Sequence, residues 1–215
     1  MALETRIPPR PIYRIGRLPG AWQPPDWSQA SPDGTFGNRF DDPKSFYRVL
    51  YASSKPVACF IETLAWYRPD LALLKELNAI DGENDFSPIG QVLPEWNERR
   101  LLGSAVAFGD AYAEIAGAEW ITLLRRELLA DCLRLGIKDI DASVLKGSQR
   151  RITQLASQTV FEHEYKGICY RSRYGEQFEN WALFEPFLLK DTHSSAIAKD
   201  DPALLEAAKI LGLNM

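Results

Sequence analysis

Arg48-Val49-Leu50-Tyr51-Ala52-Ser53-Ser54-Lys55-Pro56-Val57-Ala58-Cys59-Phe60-Ile61-Glu62-Thr63-Leu64-Ala65 is the stretch on which the reading of the fold turns. Its first five residues are rich in β-branched and aromatic side chains, which predicts a strand over 48–52. Ser53 and Ser54 are residue types that cap helices, and Pro56 suits a first helical turn, where a missing N–H is harmless. Val57, Phe60, Ile61, Leu64 and Ala65 then recur at helical spacing, which predicts a helix to about residue 67, stopped by Arg68-Pro69. Glu62 is a carboxylate inside this apolar run. Such local inconsistencies collect at functional sites; the plainer alternative is a carboxylate at the edge of the stripe, facing water.

Toward the N-terminus the texture is looser. Residues 1–45 are rich in Pro, Gly, Asp and Ser. Ile12-Tyr13-Arg14-Ile15 is the strand-like piece, closed by Leu18-Pro19-Gly20. Residues 22–37 read as a long loop, whose aromatics favour order. It runs into Gly34-Thr35-Phe36-Gly37-Asn38-Arg39-Phe40. Glycines before an arginine allow close backbone approach to an anion that the guanidinium can grip, although a surface arginine is the plainer reading.

Toward the C-terminus, residues 71–80 suit a short helix or a strand, 90–94 a short strand, and 99–108 a strand or turn-strand. A helix is predicted over 120–135, closed by Gly136. A short strand at 137–140, a helix near 148–163, and strands at 167–170 and 181–184 follow. Asp201-Pro202 opens a last helix over 203–211 that stops at Gly212. Strands and helices mix without βαβ alternation, so the class is α+β, a single mixed domain of small sheets flanked by helices. One core is expected for 215 residues.

Composition narrows the function. Lys+Arg is 25 and Asp+Glu 29, a net charge of -4, which argues against direct nucleic-acid binding but not against a local arginine pocket. No apolar run is long enough for a membrane span, and the N-terminus lacks a signal-peptide pattern. Cys59, Cys132 and Cys169 are widely spaced, which suits reduced cytoplasmic thiols rather than a zinc site. Two histidines, His163 and His193, argue against a His-rich metal centre, and no metal is expected. Ser172, in Tyr170-Arg171-Ser172-Arg173-Tyr174, lacks a Gly-x-Ser-x-Gly elbow, so serine hydrolysis is not supported.

Taken in order, these pieces resemble the RES domain family. The likeness is carried by Tyr13-Arg14, by Gly37-Asn38-Arg39-Phe40 and by Val49-Leu50-Tyr51-Ala52-Ser53. It continues through the helix of Glu62, Gly167-Ile168-Cys169-Tyr170-Arg171-Ser172-Arg173 and Glu179-Asn180-Trp181-Ala182-Leu183-Phe184, over about residues 10–190. Residues 191–215 are a C-terminal extension with one helix. Many members carry Gly-Arg-Trp-Asn where this chain has Asn38-Arg39-Phe40-Asp41; the aspartate adds a charge beside the expected phosphate site.

The resemblance implies a fold like that of ADP-ribosyltransferase toxins and a cleft for NAD as substrate, with no cofactor. It implies a toxin of a bacterial toxin–antitoxin pair that destroys NAD by hydrolysis or phosphorolysis; ADP-ribosyl transfer to a protein or metabolite, or a degenerate interaction module, are the alternatives. On this reading Glu62 stabilises the cation formed as the nicotinamide–ribose bond breaks. Arg39 and Arg14 bind the pyrophosphate, Tyr51 stacks on the nicotinamide ring, and Ser172 hydrogen-bonds the substrate or orients Glu62. Asn180 is a further polar candidate. The expected partner is a small helix-turn-helix antitoxin, and homo-oligomerisation stays open.

Overall fold

The computed structural model describes residues 2–72, 90–109 and 111–215. Eight strands form one sheet: β1 (Thr5–Arg6), β2 (Ile12–Arg17), β3 (Val49–Ser53), β4 (Arg100–Ala107), β5 (Tyr112–Glu114), β6 (Gly167–Ser172), β7 (Gly175–Phe184) and β8 (Leu189–Ala196). Their order is β1-β5-β6-β7-β3-β2-β4-β8. All pairings are antiparallel except β5 with β6. The helices among the described residues are α1 (Pro56–Leu64), α2 (Ala118–Glu127), α3 (Leu129–Leu135), α4 (Ala142–Lys146), α5 (Arg150–Glu162) and α6 (Pro202–Leu211). The α+β single domain stands, with one eight-stranded sheet in place of several small ones. None of these helices is long and apolar enough to cross a membrane.

The two faces of the sheet are covered differently, and this positions the site. Val49, Ile168, Ala182 and Phe184 point to the face that α2, α3 and α5 cover, with Trp120, Leu124, Ile152 and Val160 completing that core. Farther along the same face, Ile15 and Phe178 pack with α1 and α6 through Phe60, Ile61, Leu204 and Ala208. Ile12, Leu50, Trp181 and Leu183 alternate to the opposite face. Two helical blocks thus share one sheet face, and Tyr51, Ser53, Tyr170 and Asn180 lie on the strip between their cores.

Local chemistry explains most element ends. Asp201 accepts from Ala203 N at 2.8 Å and Leu204 N at 3.1 Å, and Gly212 closes α6 with φ 68°. Gly136, at φ 68°, closes α3 in the same way. The expected helix over 120–135 is two helices, broken at Leu128 (φ -99°, ψ 13°). The break keeps Leu128 and Cys132 in the core while Leu129 and Leu133 turn outward.

Three other expectations change. Among the described residues, 137–140 link α3 to α4 without strand pairing, and 90–94 make a single bridge, Gln91 to Asn214, before Pro94 starts a 3-10 turn. The cap assigned to Ser53 and Ser54 is absent: Lys55 holds the N-cap position of α1 without a side-chain bond. Most of the helix-or-strand stretch at 71–80 lies outside the described residues. The strand β8 carries no apolar alternation, since nearly all its side chains are exposed; it is held by backbone pairing to β4.

The 22–37 loop is ordered around a 3-10 turn at Trp27–Gln29. Its entry rests on β2 and β4 because Gly16 and Gly103 have no side chain. A Cβ at Gly16 would lie 2.3 Å from Ala21 O, and one at Gly103 would lie 2.7 Å from the Trp22 ring nitrogen.

Candidate functional site

Strand register gathers the site on the strip between the two helical blocks. Tyr51 lies opposite Ala182, Ser53 opposite Asn180, and Asn180 opposite Tyr170 on its other side. Residues opposed in this way share a sheet face, and alternation puts Ser172 with Tyr170. The register shifts between Arg171 and Ser172, at the tight β6–β7 hairpin. Helix α1 packs alongside and brings Glu62 from above.

Glu62 does not face open water. Its Oε1 accepts from Ser172 Oγ at 2.6 Å and from Asn180 Nδ2 at 2.9 Å. Both donors are themselves oriented. Ser53 Oγ donates to Asn180 Oδ1 at 2.5 Å, which turns the amide nitrogen toward Glu62. Tyr174 N donates to Ser172 Oγ at 3.1 Å, which leaves the serine proton for the carboxylate. Ser53, Ser172 and Asn180 are all buried. Glu62 Oε2 makes no hydrogen bond among the described residues, so one oxygen is held and the other is available to a ligand.

Arg39 approaches from the loop side. Its Nη1 donates to Leu145 O at 2.9 Å and Gly147 O at 2.8 Å, the carbonyls that end α4. Burial lowers its pKa, and the like charges of Arg150 and Arg173 act in the same direction, while Tyr170 and Glu62 oppose them. Beside it opens a cleft of about 550 Å³ bordered by Lys146, Gly147, Ser172, Arg173, Tyr174 and Glu176. This volume suits a small-molecule ligand. Arg173 and Arg68 flank the Tyr174 ring at 4.9 Å and 5.7 Å.

Tyr51 and Arg14 stand differently from their expected roles. The Tyr51 hydroxyl accepts from Phe40 N at 2.9 Å and donates to Asp41 Oδ1 at 3.1 Å. Burial, with Asp41 next, pushes its pKa up. It ties the Arg39 loop to β3. Arg14 lies opposite Gly103, so it starts from the other face. Its Nε donates to Ala21 O and its Nη1 to Tyr51 O, both at 2.8 Å. Burial brings its pKa down to about 10. Arg171 likewise turns away, to Glu179 at 2.9 Å. The structure therefore brings Glu62, Ser172 and Asn180 into one bonded set, keeps Arg39 and Tyr51 at its margin, and sets Arg14 between β2 and β3.

Asp41 and Ser53 are the participants that residue types alone missed. Asp41 is buried; its Oδ2 accepts from Phe36 N at 2.9 Å and Asn38 N at 2.8 Å. The carboxylate thus folds its own loop, where the sequence reading expected an added charge beside the phosphate site. Its place next to Arg39 in the motif was the available signal.

A family model described as the RES domain matches residues 11–203. A chain of the M. tuberculosis MbcT–MbcA toxin–antitoxin complex superposes with a TM-score of 0.54 at 10% identity, over 97% of this chain and 92% of that one; at this identity the likeness concerns the fold. A search of curated proteins finds no match. With nearly its whole length inside the family model, the chain belongs to the RES domain family.

Proposed function

We propose that this chain cleaves the nicotinamide–ribose bond of NAD, as a glycohydrolase or phosphorylase, and acts in the cytoplasm as the toxin of a toxin–antitoxin pair. The observation that carries this reading is the Glu62 carboxylate, held on one oxygen by Ser172 and Asn180 and unbonded on the other among the described residues. Cleavage breaks the C1′–N bond, the electron pair leaves with nicotinamide, and an oxocarbenium-like ribose remains. A fixed carboxylate stabilises that developing charge without reorganising. Oxygen of water or phosphate then bonds to C1′ and gives up its proton.

Arg39 supports the reading at the other end of the ligand. Its Nη2 and Nε are unbonded among the described residues, which leaves donors for a diphosphate. A small antitoxin is the proposed partner; a solved structure with a similar fold comes from a toxin–antitoxin complex. Transfer to a second macromolecule has less support, because Glu62 is flanked by a serine and an asparagine and not by a second carboxylate.

Incubation of the purified protein with NAD, with and without phosphate, tests the reading through free nicotinamide. Release in either condition, abolished by Glu62→Gln in a protein that still folds, is the expected result. No release in both conditions overturns it.

A further inference from the structure

Tyr170 stands on β6 directly opposite Asn180, the residue that bonds Glu62, and two positions before Ser172. Its half-buried ring meets Phe40 edge-on, with centroids 5.0 Å apart. Phe40 follows Arg39, so Tyr170 lies between the arginine loop and the Glu62 bracket. Two tyrosines thus share this strip and use their hydroxyls differently. The Tyr51 hydroxyl is spent inside the protein, on Phe40 N and Asp41. The Tyr170 hydroxyl makes no hydrogen bond among the described residues, and its side chain is partly exposed.

We propose that Tyr170 contacts the substrate, donating its hydroxyl to the nicotinamide-riboside half of the ligand, beside the bond that Glu62 faces. This rests on the NAD reading of the site. The position follows from register: the cross-strand partner of Tyr170 is itself a Glu62 ligand, whereas the diphosphate-binding donors sit on Arg39. The chemistry is consistent, because burial and then the Glu62 charge raise the phenol pKa and keep the proton in place for donation. A ligand group desolvated against an unused hydroxyl is discriminated strongly from one that cannot bond it.

Glu62→Gln protein, with and without Tyr170→Phe, separates the possibilities by calorimetric titration with nicotinamide mononucleotide and with ADP. The inference expects affinity for the mononucleotide to fall about 10-fold on loss of the hydroxyl, with ADP affinity unchanged. Tm should stay within about 2 °C, because no internal bond is lost, whereas Tyr51→Phe should lower it further. An unchanged mononucleotide affinity overturns the inference, as does an equal loss for ADP. If neither probe binds and wild-type protein releases no nicotinamide, the NAD reading fails and this inference falls with it. Release by the wild type combined with an unaffected Tyr170→Phe sinks the Tyr170 role alone.

Discussion

Ser172 Oγ donates to Glu62 Oε1 at 2.6 Å, joining the β6–β7 hairpin to α1 across 110 positions of chain. The same oxygen receives Asn180, so Glu62 is pinned by two neighbouring strands at once. Ser172→Ala should loosen this hold. Hydrogen bonds to charged groups contribute about 1.5–3 kcal/mol, so nicotinamide release should fall roughly 10- to 100-fold. Most of the loss should appear in kcat, since the Arg39 donors proposed for the diphosphate are untouched; steady-state kinetics check it.

Arg39 has two duties that a lysine cannot combine. Its Nη1 closes the end of α4 through Leu145 O and Gly147 O, while Nε and Nη2 make no hydrogen bond among the described residues. A lysine keeps the charge but lacks the planar fork. Arg39→Lys should raise KM for NAD by about 10-fold, more than it lowers kcat. Faster proteolysis near Gly147 would accompany the loss of the two carbonyl contacts.

Asp41 should leave a signature in the pH dependence of stability. Burial raises its pKa above the usual carboxylate value, although hydrogen bonds from Asn38, Tyr51 and Phe36 oppose the rise. A group whose folded pKa is raised contributes stability below its unfolded pKa, and that contribution is lost as pH climbs through the folded value. Asp41→Asn removes this titration. The stability of wild type relative to the variant should therefore decline as pH rises from the ordinary Asp value near 3.8 toward the raised one. Urea titrations at stepped pH read the difference; a gap that widens with pH in favour of wild type would contradict it.

Gly16→Ala tests the loop seat. The new Cβ would lie 2.3 Å from Ala21 O, the carbonyl that accepts from Arg14 Nε. Backbone must move, and overpacking of this kind costs about 1–3 kcal/mol. At roughly 2–4 °C per kcal/mol for a chain of this size, a Tm drop of several degrees is expected in a thermal melt.

Much of the architecture was legible along the chain because it depends on local chemistry. Asp201, Pro202 and Gly212 mark both ends of α6, and the Val49–Ser53 strand and the α1 stripe follow from residue type and period. Where tertiary packing overrides local signals, the reading changed. Leu128 breaks one periodic helix into two, and β8 exists through pairing with β4 despite a polar sequence. The ordered motifs also placed the chain in its family. They could not say that Arg14 is held by backbone carbonyls or that Tyr51 has spent its hydroxyl.

The sequence by itself determined which residues carry polar chemistry in otherwise apolar strands and helices, because alternation and helical period report faces. The tertiary structure alone decided which of those faces meet. Strand order β6-β7-β3 is not the order of the chain, and only that order sets Tyr170, Asn180 and Ser53 side by side. Period is a property of one segment; adjacency depends on which segments bury their apolar faces together. Glu62 is therefore an edge residue when α1 is read alone, and the centre of the site once β6 and β7 pack beneath it.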